Sequence, residues 1–208
     1  DKITVAEAEK LARNYQMAVG IGWVKDEGKF CENRYSIVTP EGEILEYTKL
    51  HPFSYSGEDR YFQGGTVLPV CEYRGYHLGV QICYDLRFPE AFQALSRQAD
   101  LILVPANWPG RRREHWISLL QARAIENQCY IAGVNCVGDM DGQTYTGDSR
   151  LYGPDGMLCS GEILTPADAQ PGECAFIYEI DDQVKKVRTQ FPVKKDRRDA
   201  LYRQFYEV

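Results

Sequence analysis

From His77 to Val137 the chain reads HLGVQICYDLRFPEAFQALSRQADLILVPANWPGRRREHWISLLQARAIENQCYIAGVNCV, and this run decides the fold class. Its apolar stretches lack the alternation of half-exposed strands: His77 to Cys83, Asp100 to Ala106 and Cys129 to Val137 read as buried strands. Between them, Glu90 to Arg97 and about Glu114 to Asn127 have helical spacing, with Trp116, Leu119 and Leu120 on one face of the second. Strand, helix, strand, helix, strand predicts an α/β sheet with helices packed on it.

Upstream, Thr66 to Tyr73 pairs with His77 to Cys83 as a hairpin around Arg74-Gly75. Earlier still, Met17 to Val24, Tyr35 to Thr39 and Ile44 to Leu50 are strand-like and separated by turn residues, which predicts a meander. A Thr4-x-x-Glu7 capping box is expected to open a helix through about Gln16, with Ala8, Leu11, Ala12 and Tyr15 on one face. The stretch HPFSYSGEDRYFQGG, between Leu50 and Thr66, fits neither period; its aromatics argue for a functional loop over disorder. Downstream, Thr146 to Ile163 and Cys174 to Ile180 predict shorter strands, about Asp181 to Gln190 a last helix, and Phe191 to Val208 a Pro-containing tail. With no repeat and no linker, residues 1–208 read as one domain, a layered α/β sandwich.

Composition limits the function classes. Hydrophobic residues are 44% and charged residues 26% of 208, an ordinary globular balance. The net charge of -6 disfavours a nucleic-acid partner, and the basic runs Arg111 to Arg113 and Lys194 to Arg198 read as solvated surface. No apolar run approaches the 18 residues or so of a membrane span, and the first residues carry no signal pattern. Seven scattered cysteines are not a disulfide framework, so a cytoplasmic location is expected.

Cys83 ends a strand where the chain turns into a helix. Such a turn can expose a nucleophile and aim backbone N–H groups at one point, and burial with positive neighbours is expected to lower the thiol pKa; a core cysteine fits the position equally. A base is then needed. His77 lies six residues away on the same strand, roughly 20 Å, and His115 beside Arg113 and Trp116 reads as a capping or packing residue. Lys49, at the end of ILEYTKL and directly before the aromatic loop, could donate to a developing oxyanion, with Glu58 orienting it; a surface lysine would look the same. A thiol phosphatase is excluded, because Cys83 and Arg87 enclose three residues and no glycine. No C-x-x-C, H-x-x-x-H or H-E-x-x-H pattern suggests a metal.

Taken together, Lys49-Leu50-His51-Pro52-Phe53, Gly57-Glu58-Asp59, the run Gly79 to Glu90, Pro105-Ala106-Asn107-Trp108-Pro109 and Ala122 to Gln128 resemble the carbon-nitrogen hydrolase (nitrilase) superfamily, in order through nearly the whole chain. Asn107-Trp108-Pro109, Gly147-Asp148-Ser149 and Phe191-Pro192-Val193 with Asp196-Arg197-Arg198 resemble its omega-amidase branch, cytoplasmic enzymes that hydrolyse amides such as 2-oxoglutaramate.

The resemblance implies a four-layer α-β-β-α sandwich, a homodimer, a small-molecule amide substrate, no cofactor and no metal. It implies that Cys83 attacks the amide carbon, that Lys49 and the Tyr84 backbone N–H hold the oxyanion, and that Glu58 supports the lysine. Arg87 and Glu90 would hold the turn, Asn107, Trp108 and Arg87 would serve the pocket, and Arg123 and Glu126 would pair along a helix. A nitrile, a carbamoyl amine or a general aliphatic amide would suit the same catalytic residues, and a silent scaffold would keep the fold alone.

One departure stands out. The resemblance places a base glutamate on a first β-α unit well upstream of the lysine, and none of Glu7, Glu9, Glu27, Glu32, Glu41, Glu43 or Glu46 has that setting. The expectation is therefore a sandwich without that unit, with an exposed sheet edge, weak activity and a tendency to aggregate.

Overall fold

The computed structural model describes residues 2–206, so Asp1 and the last two residues of the tail lie outside the described part. The expected first helix, α1 (Ile3–Tyr15), leads into an antiparallel meander of β1 (Val19–Asp26), β2 (Cys31–Thr39) and β3 (Gly42–Thr48). The helix does not start on the predicted capping box. Lys2 occupies the cap position without a side-chain bond to the helix, and Thr4 lies inside it. Lys2 is drawn instead to Glu43 and Glu46, at 2.7 and 3.0 Å, and these ion pairs tie the helix entry to β3. Val5, Ala8 and Ala12 pack on Trp23 and Val38, whereas Leu11 and Tyr15, expected on the same face, are exposed.

The hairpin of β4 (Val70–Tyr73) and β5 (Tyr76–Val80) forms around Arg74 and Gly75, both at positive φ as a tight hairpin turn requires. Then follow α2 (Pro89–Leu95), β6 (Leu101–Ala106), α3 (Arg113–Asn127) and β7 (Tyr130–Asn135), the alternation read from the opening run. A two-stranded hairpin, β8 (Val137–Met140) with β9 (Gln143–Thr146), precedes β10 (Arg150–Tyr152). The second sheet has the order β10-β7-β6-β5-β4, with β5, β6 and β7 parallel.

Burial converts these sheets into layers. One face of the second sheet packs Ile102, Val104 and Ile131 against Phe92 of α2 and Trp116 and Leu120 of α3. Its other face packs Leu78 and Val80 on Ile37, Leu45 and Tyr47 of the meander, whose far side carries α1. The order is helix, sheet, sheet, helices: the four-layer α-β-β-α sandwich.

The remaining chain forms a small hairpin, β11 (Glu162–Leu164) with β12 (Ala175–Ile177), and then α4 (Gln183–Gln190). Arg188 of α4 donates to the carbonyls of Gln128, Ser96 and Ala99 and so fastens the C-terminal segment to the sandwich. Within the Pro-containing tail a further helix, α5 (Asp199–Tyr206), closes the described part. Among the described residues no helix is long and apolar enough to cross a membrane.

Candidate active site

Beyond β5 the chain stays extended long enough for the Gln81 N–H to reach the Leu103 carbonyl at 2.9 Å, then breaks into a 3-10 turn over Cys83–Arg87. Cys83 opens that turn at φ 48°, a left-handed conformation that an L side chain adopts at a cost. Such backbone strain persists only where the surroundings hold it. Here the Ile82 N–H donates to the Asp85 carboxylate at 2.9 Å and the Asp85 N–H to the Ile82 carbonyl at 3.0 Å. Tyr84 is the second residue of the turn, where helical geometry leaves a backbone N–H without an intrahelical acceptor.

The thiol itself departs from the sequence expectation. Burial pushes the Cys83 pKa up, and the Lys49 charge and a hydrogen bond with the Asn107 backbone only partly oppose it; the thiol itself lies 3.9 Å from the Asn107 carbonyl oxygen, its acceptor. An uncharged thiol at rest is the consequence.

Lys49 follows directly on β3 and is 4% exposed. Its Nζ donates to Glu58 Oε2 at 2.6 Å, and the Phe53 N–H donates to the same oxygen at 2.6 Å. Asn33 Nδ2 reaches the other oxygen at 3.2 Å. Burial would raise the Glu58 pKa, but these donors and the lysine charge outweigh it and hold the carboxyl below its ordinary value. The aromatic loop is ordered around this acid as two short 3-10 turns, Ser54–Ser56 and Glu58–Arg60. It returns against the lysine through the Gly65 N–H, 2.8 Å from the Lys49 carbonyl. At Gly65 a Cβ would lie 2.5 Å from the Thr48 carbonyl oxygen, so only glycine permits that approach.

Lys49, Glu58, Cys83 and Asn107 line one cavity of about 720 Å³. Among the described residues Glu58 is the only carboxylate on its wall. None of the three histidines lines it: His51 Nδ1 lies 2.8 Å from Asp85, His77 Nδ1 3.2 Å from Asp100, and His115 Nδ1 3.3 Å from Arg87.

Two residues expected in the pocket are not on its wall. Trp108 is 3% exposed; its ring packs on Trp116 at 5.5 Å and its indole N–H donates to the Arg112 carbonyl, so it belongs to the core. Arg87 lies over the Trp108 ring at 4.8 Å and is not part of the cavity wall. Conversely, Arg111 and Arg112, read as solvated charge, do line the cavity, with Arg112 5.7 Å over Phe53 and 5.3 Å over Tyr55. Their place just past the carboxyl end of β6 was the available signal, because open parallel sheets gather their sites there. Gln143 and Tyr145 of β9 and residues of β1 and β2 such as Trp23 and Arg34 also line it, and nothing local in those hairpins marks them.

Arg123 does more than pair with Glu126 at 3.0 Å. Its Nε and Nη2 donate to the Leu86 carbonyl at 3.1 and 2.8 Å, which braces the turn of Cys83 from α3.

A carbon-nitrogen hydrolase family profile matches residues 1–187. The chain belongs to the carbon-nitrogen hydrolase family. Among the relatives of this carbon-nitrogen hydrolase chain is the omega-amidase YafV of Yersinia enterocolitica, 42% identical over 167 residues that cover 79% of this chain and 62% of that protein. The 2-oxoglutaramate amidase of Bacillus subtilis is 34% identical over 172 residues, covering 82% of this chain and 64% of its own. The chain thus spans somewhat over three-fifths of the length of these relatives. Among solved structures, XC1258 from Xanthomonas campestris, a CN-hydrolase superfamily protein, superposes with a TM-score of 0.82 at 29% identity, covering 95% of this chain and 75% of that one.

Proposed function

We propose that this chain hydrolyses the C–N bond of a linear amide through a cysteine thioester, with the omega-amide of a dicarboxylic acid as substrate. The observation that carries the reading is the convergence of the Lys49–Glu58 pair and Cys83 on one cavity. The similarity to an omega-amidase and a 2-oxoglutaramate amidase supports the substrate class. So do Arg111 and Arg112, which offer guanidinium groups to a distal carboxylate.

The chemistry follows from the placement. The Cys83 sulfur forms a bond to the amide carbon while the thiol gives up its proton, and the carbonyl oxygen takes up the negative charge. The Lys49 ammonium and the Tyr84 N–H are the donors for that oxygen. Collapse of the intermediate breaks the C–N bond, the nitrogen leaves as ammonia with the thiol proton, and a thioester remains. Water then adds to the thioester, the C–S bond breaks, and the acid departs as the thiol regains a proton. Glu58 holds Lys49 in place. The resemblance calls for a further glutamate to carry the protons, a role that Glu58, committed to the lysine, does not fill.

We infer further that residues 1–208 act as one domain in a cytoplasmic homodimer whose partner is a small molecule, with neither nucleic acid nor membrane involved. The net charge of -6 and seven unpaired cysteines support this, as do the exposed Phe205 and Tyr206 of α5 as material for an interface.

The test is ammonia release from 2-oxoglutaramate, succinamate and butyramide. Release from the two acids that disappears in Cys83→Ala, with butyramide poorer, is expected. Arg111→Ala and Arg112→Ala should raise KM for the acids alone. Equal release by Cys83→Ala and the unaltered chain would end the proposal, and equal use of butyramide would replace the acidic substrate by a general amide.

A further inference from the structure

Asp85 is fully buried, and its carboxylate is where both halves of the site meet. One oxygen accepts the His51 backbone N–H at 2.9 Å and faces His51 Nδ1 at 2.8 Å. The other accepts the Tyr47 hydroxyl at 2.7 Å and the Ile82 N–H at 2.9 Å. Tyr47 and His51 lie two residues before and two after Lys49, while Ile82 and Asp85 bracket Cys83. The Tyr47 oxygen in turn accepts from Gln81 Nε2 at 3.0 Å and from the Leu50 N–H at 3.2 Å, and the His51 ring stacks on Phe88 at 3.8 Å. A buried charge is tolerated only when its acceptor sites are filled, and this one is filled by groups from the two segments that deliver the ammonium and the thiol.

We propose that Asp85 is a positioning residue: acting through Tyr47, His51 and the Ile82 amide, it holds the Lys49 ammonium and the Cys83 thiol in register without touching the substrate. This rests on reading Cys83 and Lys49 as nucleophile and oxyanion donor. An apolar residue would fill the same space at lower desolvation cost, so what the carboxylate adds is fixed geometry. A misplacement on the order of 1 Å between reacting groups can remove about a hundredfold of rate, which gives such a clamp its value.

The experiment reads the pH dependence of Cys83 alkylation by iodoacetamide, followed by mass spectrometry on the Cys83 peptide. It needs no turnover. Cys83 senses Lys49 on the strand end, Glu58 in the loop, Asp85 and Arg87 in its own turn and Tyr145 on the β9 hairpin. Of these, the Lys49 charge favours the thiolate and the Asp85 charge opposes it, so loss of position and loss of charge act in opposite directions.

Tyr47→Phe removes one donor and no charge. It should shift the alkylation midpoint up by about one pH unit, about tenfold slower reaction at neutral pH. Asp85→Asn, which sets an amide N–H against a ring of donors, should shift it up or leave it, despite the lost negative charge. In a Lys49→Met background the Tyr47→Phe shift should vanish, because Tyr47 acts on the thiol through the position of Lys49. An unchanged midpoint in Tyr47→Phe, a downward shift in Asp85→Asn, or equal Tyr47→Phe shifts with and without Lys49 would overturn the proposal. Should Asp85→Asn not fold, Tyr47→Phe and its background control still decide. Failure of the amidase reading shows separately, as ammonia release indifferent to Cys83.

Discussion

Glu58 Oε2 receives the Lys49 ammonium and the Phe53 backbone N–H, each at 2.6 Å. One carboxylate oxygen therefore fixes both the lysine and the loop that covers it. Forming such a pair away from water gains little net stability, because both charges must first be desolvated. Breaking it is another matter, since an almost fully buried ammonium would be left with no counter-charge.

Glu58→Gln is accordingly expected to lower stability at pH 7 by about 3 kcal/mol, read from urea midpoints. The pH dependence has a definite sign. The folded-state pKa of Glu58 is lowered, so the unfolded chain takes up the proton first as the pH falls. The contribution of the carboxylate is complete above the ordinary glutamate value of about 4.3 and drains away as the pH drops through the folded value. The gap between the two proteins should narrow below that point, and a gap independent of pH would refute the pairing as its source.

Arg123 gives a second expectation. Its guanidinium spans the Leu86 carbonyl and Glu126 from a position only 5% exposed. Arg123→Met leaves that carbonyl without its donors and should cost about 3 kcal/mol. Arg123→Lys keeps the charge but not the fork, and should recover only part of the loss. A lysine variant as stable as the unaltered chain would show that the charge alone matters.

Those two sites also show how far sequence reading reached. The strands of the opening run were legible because buried parallel strands are written as unbroken apolar stretches, and the spacing of Trp116 and Leu120 marked the packed face of α3. Lys49, Glu58 and Cys83 were legible as residue types at chain turns, although only the folded chain brings them to one wall. What escaped was set by distant partners. Thr4-x-x-Glu7 is a local signal, and it lost to ion pairs of Lys2 with residues some forty positions away. Trp108 and Arg87 adjoin the site in sequence, but adjacency does not say to which side of a strand end or turn a ring or guanidinium points. Arg111 and Arg112 looked like solvated charge because no local pattern announces the cavity they line or the Phe53 and Tyr55 rings that Arg112 covers. The Cys83 thiol was expected to be acidic from its neighbours, and burial outweighs them.

The last expectation concerns Lys194, in the segment between α4 and α5. It donates to the Ser96 carbonyl from a partly buried position near Arg188, Arg197 and Arg97. Burial first, and those guanidinium charges second, push its pKa from 10.5 down to about 8. Between these two values the unfolded chain holds a proton that the folded chain has released, so stability from this group rises with pH across that window. Below it both states are protonated, and the folded chain bears the full cost of a charged amine among like charges. Lys194→Met lacks the titration while leaving every tyrosine and cysteine in place, so their effects cancel in a comparison of the two proteins. Urea midpoints at pH 7.5 and 10 should therefore move in favour of the unaltered chain as the pH rises, and a difference that stays constant would place Lys194 in solvent with an ordinary pKa.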